Sequence, residues 1–186
     1  IMPNTSLKNH FLVAMPSLAD PHFHRSVTYL CEHHSDGAMG ITINQPSTYT
    51  LREMSAHLAL SNNTYLPGNT VFNGGPVQPE RGFILHTGNR QWETTINIAE
   101  NVSLTGSKDI LVDIDNNNGT EDAIIALGFA GWDSGQLEAE IAANHWLTVP
   151  ADPDIIFKTN YRQQWTASAG KLGIDLNLIS HQIGHA

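Results

Sequence analysis

The single cysteine, Cys31, stands two residues before His33 in a stretch that alternates from Arg25 to His33. On a β-strand that spacing sends both side chains to one face, where a thiolate–imidazole pair could carry out acyl or thiol transfer. Glu32 points the other way and cannot orient the imidazole, and no oxyanion-hole signature accompanies the pair. A small apolar residue packed in the core is the stronger reading of Cys31, because free cysteines are among the most buried residue types. His22, His24, His33 and His34 lie close together. They lack both H-E-x-x-H and C-x-x-C spacing, so they read as turn-adjacent surface residues, and neither a metal nor another cofactor is expected. Gly128-Phe129-Ala130-Gly131-Trp132 joins a buried strand to a helix but has no phosphate-loop spacing and no lysine, and Asp133 would repel an anion there. Ser134 has no G-x-S-x-G elbow around it.

A fourth constellation is Asn73-Gly74-Gly75-Pro76 with Arg81 and His86. Consecutive glycines free backbone amides to line a concavity, and Arg81 could pair with a carboxylate there. Arg25, Glu32 and His86 sit in strand-like surroundings where an unpaired charge is costly, which predicts a buried ion pair that fixes the sheet. The alternative is a surface for a small ligand or a protein partner, presented by Gly74, Gly75, Arg81 and Trp132.

These residues must be positioned by strands in the first half of the chain. His10–Met15 is an apolar run stopped by Pro16, and Arg25–His33 pairs with Ala38–Asn44 across a turn that ends in Asp36-Gly37. Thr50-Leu51-Arg52-Glu53 is a capping box opening a helix to about Leu60. Gly82–His86 and Trp92–Ile98 read as a further pair of strands, and Val102–Leu104 as a short one. Ser107 caps a helix through Ile114. Ala123–Ala130 reads as a strand buried on both faces. Asp133, with Gln136 three residues on, is the expected cap of a helix through Leu137 and Ile141. Trp146–Val149 is strand-like, Asp152-Pro153 starts a helix, and a last helix near Tyr161–Leu172 buries Trp165 and Ala169 before Gly173. Strands early and helices late predict an α+β fold.

The chain has 186 residues, 40% hydrophobic and 15% charged, with a formal net charge of −9. That length predicts one domain over 1–186. The low charge fraction excludes a disordered acidic tail or a solvated coiled coil. No apolar run approaches the roughly 20 residues that span a bilayer, and no secretory signal is read. One cysteine suits a reducing compartment, so a cytoplasmic location is expected. The nine lysines and arginines are scattered. Generic nucleic-acid binding, which draws its affinity from concentrated basic residues, is therefore not expected.

Several local features together resemble the YqgE/AlgH family of bacterial proteins. They are His10-Phe11-Leu12-Val13-Ala14-Met15-Pro16, Cys31-Glu32-His33, Gly37-Ala38-Met39-Gly40, Asn44-Gln45-Pro46, Gly74-Gly75-Pro76-Val77, Arg81-Gly82-Phe83-Ile84-Leu85-His86 and Ala126-Leu127-Gly128-Phe129-Ala130-Gly131-Trp132. The likeness runs in order over nearly the whole chain. It implies a compact domain with a strongly curved, partly split and mostly antiparallel sheet flanked by helices. It also implies the family's label of transcriptional regulator, drawn from a link to alginate regulation. No catalytic or ligand residues come with it.

Overall fold

The computed structural model describes residues 5–50, 52–54, 70–115 and 122–183. Among the described residues nine strands form one open sheet: β1 His10–Ala14, β2 Val27–His34, β3 Gly37–Thr42, β4 Val71–Asn73, β5 Val77–His86, β6 Ile96–Ala99, β7 Val102–Thr105, β8 Ala123–Asp133 and β9 Trp146–Pro150. The order across the sheet is β6-β7-β5-β8-β3-β2-β1-β9, and β4 lies alongside β8. The β4–β8 pair is parallel and the others are antiparallel, which makes the sheet mixed. The helices are α1 Asp109–Asp115, α2 Gln136–Ala142, α3 Pro153–Lys158, α4 Gln164–Gly170 and α5 Leu176–Ile183, with a 3₁₀ turn at Tyr161–Gln163. This is an α+β fold.

β8 joins the two halves of the sheet. Its first part pairs with β4 and β5, and its last four residues pair with β3. The chain that carries Gly74-Gly75 presses directly on β8 between these parts. A Cβ on Gly75 would lie 2.2 Å from the Phe129 carbonyl carbon, and one on Gly128 would lie 2.4 Å from the Gly75 carbonyl oxygen. Two backbones can approach this closely only where both lack side chains.

The sheet is buried on both sides. Phe11, Val13, Tyr29, Cys31 and Ile41 pack with Ile155, Ile156 and Trp165 of the C-terminal helices. Leu12, Ala14 and Leu30 face the opposite way, onto Trp132, Trp146 and Leu137 of α2. This two-sided burial explains why β1 reads as apolar at nearly every position. A third cluster, with Val71, Ile84, Ile110, Ile114 and Ile125, lies under α1.

Several expected elements form as read. Glu53 donates its backbone N–H to Thr50 Oγ1 at 3.1 Å while Thr50 N–H reaches Glu53 Oε2 at 3.4 Å, the reciprocal bonds of a capping box. The expected continuation of that helix to Leu60 lies outside the described residues. Asp152 caps α3 by accepting from the Asp154 N–H at 2.9 Å.

Others differ. Asp133 is still paired with Gly37 in the sheet, and its N–H donates to Gln136 Oε1 at 3.0 Å, so Gly135 rather than Asp133 stands at the cap of α2. Trp92–Thr95 is a turn closed through the Thr95 hydroxyl, and β6 starts only at Ile96. Beyond Gly173 a further helix, α5, opens where Asp175 Oδ1 accepts from the N–H groups of Asn177 and Leu178. An Asp at this position is a helix-start signal carried by the sequence itself.

Candidate functional site

Cys31 and His33 are not brought together. Leu30 pairs with Gly40 and Glu32 with Met39, so Cys31 is an extra residue in β2 that resets the alternation of faces. Cys31 is 1% exposed among apolar side chains. Burial pushes its thiol pKa up, and the neighbouring Glu32 charge adds to the rise. His33 instead reaches α2, on the other side of the sheet. Its Nδ1 accepts the Leu7 N–H at 2.8 Å, which fixes the proton on Nε2, and Nε2 donates to Glu138 Oε1 at 2.6 Å. That bond holds the Glu138 carboxyl below the usual carboxylate range.

The remaining candidates fall in separate places. Gly74 and Gly75 serve the backbone crossing described above. Trp132 is 6% exposed and packs with Phe23 and Trp146, while Glu140 Oε1 accepts from both indole N–H groups at 3.2 and 3.0 Å. Arg25 is exposed and lies 4.3 Å over the Trp165 ring. Glu32 is half-buried opposite Met39.

His86 is fully buried. Its Nδ1 lies 3.4 Å from the Thr87 carbonyl oxygen, to which it donates. Its Nε2 accepts from the Thr105 hydroxyl at 2.7 Å, and Thr105 in turn accepts from Thr95 at 2.8 Å. Burial holds the imidazole below its ordinary pKa. Among the described residues no ion pair joins Arg25, Glu32, Arg81 or His86, so the expected buried ion pair does not form.

Arg81 is the candidate that faces a cavity. Val77 pairs with Phe129 and Gly82 with Leu127, so β5 takes five steps where β8 takes two. Gln78-Pro79-Glu80-Arg81 therefore stand opposite Gly128 alone, a surplus of three residues that bulges from the ladder, with Gln78 in the left-handed region at φ 46°. Bulges of this kind re-aim side chains. Here the loop forms one wall of a cavity of about 650 Å³. Ser47, Tyr49 and Met54 form another wall, Thr105–Lys108 and Leu111 a third, and Ile84, Ile125 and Leu127 of the sheet also line it. The Arg81 guanidinium lies 4.8 Å over the Phe83 ring, with Nη1 3.5 Å from Gln78 Oε1. It also lies beside Gly106, where an added Cβ would come 3.7 Å from Nη2.

Neither Lys108 nor Phe83 belongs to a chemical motif in the sequence. Lys108 stands between Ser107 and Asp109 and looked only like part of a helix start. Among the described residues the cavity offers mainly apolar walls with two cations, Arg81 and Lys108, and one carboxylate, Glu80. Thr105 is 1% exposed and its hydroxyl is engaged with His86 and Thr95, so it is not poised for attack. Among the described residues no group of three His, Cys, Asp or Glu side chains could hold a metal ion.

A family model described as AlgH-like matches residues 11–177. A UPF0301 protein of Saccharophagus degradans is 51% identical over 181 residues, covering 97% of this chain and 89% of that relative. Another, of Thioalkalivibrio sulfidiphilus, is 48% identical over 183 residues, covering 98% of each. The solution structure of the AlgH protein from Pseudomonas aeruginosa matches with a TM-score of 0.79 at 43% identity, over 100% of this chain and 99% of that one. A crystal structure from Corynebacterium diphtheriae matches with a TM-score of 0.75 at 18% identity, over 97% of this chain and 94% of that one, a likeness of fold alone.

Proposed function

The chain belongs to the AlgH-like family, and on that premise we propose that it is a non-enzymatic regulatory protein of the cytoplasm that responds to a small molecule taken into the cavity beside Arg81. The observation that carries this reading is the cavity itself. Its volume of about 650 Å³ falls within the roughly 300–1,000 Å³ of ordinary ligand pockets. Its walls are mainly apolar with a few polar groups, the usual composition of a ligand site. A protein partner would then read the liganded state, and generic DNA binding has no part in it.

The free, single cysteine is consistent with a reducing compartment. Among the described residues no helix is long and apolar enough to cross a membrane. The burial of Cys31 and the separate engagement of His33 weigh against acyl or thiol transfer on that strand.

The test is a titration with Nile red, an uncharged fluorophore that brightens in apolar surroundings. One molecule should bind per chain, and Leu127→Trp, which fills the cavity from β8, should abolish binding while the near-ultraviolet circular dichroism stays native-like. Equal binding by the variant, or none by the wild type, would remove the cavity as a ligand site.

A further inference from the structure

We propose that the ligand of this cavity is an amphiphilic anion: an apolar body that fills the interior and a terminal carboxylate or phosphate-type group held by Arg81 and Lys108. The inference rests on the cavity being a ligand site and adds the chemical class of what enters it.

Charge placement is the first support. The chain holds eighteen acidic and nine basic residues, yet among the described residues the cavity is lined by two bases and one acid. The acid that follows Lys108, Asp109, keeps its negative charge but is bound elsewhere, and among the described residues it forms no ion pair with Lys108. Asp109 Oδ1 accepts from the Ser107 hydroxyl and the Ile110 N–H and Oδ2 accepts from the Glu93 N–H at 2.8 Å; desolvation pushes its carboxyl pKa up, but these bonds together outweigh it and hold the carboxyl below the usual range.

The second support is the state of Arg81. Its guanidinium presents five N–H donors in a planar fork suited to carboxylate or phosphate. In the structure it makes one contact at the long limit, to Gln78, and stacks on Phe83, with no carboxylate at ion-pairing distance among the described residues. The group is therefore steadied by a ring beneath it, and most of its donors remain uncommitted. Gly106 adds no side chain beside it, and Lys108 follows two residues later on a long flexible stem.

The third support is the bulge. A regular β5 would keep these residues in the ladder with β8. The looped-out Gln78–Arg81 segment gives up ladder pairs and adopts a left-handed residue to put Arg81 on the cavity wall. Next to this cationic wall lie Met54, Ile84, Leu111, Ile125 and Leu127. A neutral apolar ligand would shield the guanidinium from water without replacing its hydrogen bonds, which costs affinity. A cationic amphiphile would be repelled.

The experiment is competition against bound Nile red below micellar concentrations, using decanoate, decyl phosphate, decanol, decyltrimethylammonium and inorganic phosphate. Decanoate or decyl phosphate should displace the dye at concentrations about tenfold or more below decanol, with decyltrimethylammonium weakest. Which of the two anions competes better identifies the head group. In the double variant Arg81→Met/Lys108→Met, the preferred anion should fall to the level of decanol while Nile red binds as in the wild type, which shows that the cavity is intact. Decanol competing as well as both anions in the wild type would overturn the anion class and leave the cavity reading standing. Inorganic phosphate competing as well as decyl phosphate would overturn the requirement for an apolar body. Failure of Nile red itself to bind would overturn both readings.

Discussion

A thiol reacts as its thiolate, so the alkylation rate of Cys31 reports its surroundings directly. Burial in the Phe11–Tyr29–Ile41 cluster disfavours the charged form and excludes the reagent together. Iodoacetamide should therefore label the native protein at least about a hundredfold more slowly than the urea-unfolded chain. Equal rates would place a reachable sulfur on the surface and reopen catalysis. His86 makes a different prediction. Its imidazole is kept neutral by burial, with a folded pKa below the unfolded one, and the smaller opposing influence is its bond to the Thr87 carbonyl. Below about pH 6.5 the unfolded chain takes up a proton that the folded chain resists, so this histidine's contribution to stability is full above that value and is lost as pH falls. The urea midpoint should drop from pH 7 to pH 5, and the drop should be smaller in His86→Gln. Parallel profiles in the two proteins would show that the buried ring protonates without penalty.

Among the elements, the crossing of the Gly74-Gly75 segment over β8 has the least tolerance. Gly128 and Gly135 share the same φ of +76°, but a Cβ on Gly135 meets nothing within 4 Å while one on Gly128 meets the Gly75 carbonyl oxygen. Gly135→Ala should cost about 1 kcal/mol, the strain of a left-handed alanine. Gly128→Ala should cost about 3 kcal/mol or more, because two backbones must also separate. Chemical denaturation of both variants checks this, and similar losses would mean that the crossing can relax. The same region shows what the sequence could and could not reveal. Alternation located β2, the Asp36-Gly37 turn its partner β3 and a continuous apolar run β8, and Thr50–Glu53 announced its cap because those bonds are local. Bulges have no such local mark. Whether Cys31 or Gln78–Arg81 is surplus depends on which residues of β3 and β8 they face, and a single bulge reverses the faces beyond it. That is why Cys31 and His33 appeared to share a face. It is also why Arg81 read as one half of an ion pair, when its setting is built from segments near Tyr49, Thr105 and Leu127.

For the whole molecule, the placement of cations decides how it meets a polyanion. Duplex DNA attracts proteins mainly through lysines and arginines that neutralise phosphates, and scattered cations gain little from it. Arg90 lies 2.9 Å from Asp113, Lys158 lies 3.8 Å from Asp154, and Lys171 pairs with Asp152. Arg25 and Arg162 stack on Trp165 and Tyr161, and Arg81 and Lys108 line the cavity. Against a net charge of −9, none of these makes a continuous ridge for a phosphate backbone. A labelled duplex of random sequence should therefore show no change in fluorescence anisotropy with protein up to about 100 μM in low salt, the weak end of ordinary non-specific binding. Saturating decanoate should leave that result unchanged, because it would neutralise two of the few exposed cations, Arg81 and Lys108, and add none. Binding that weakens steeply with salt would mean that a cationic surface assembles in solution, and it would return the protein to the direct regulators of DNA.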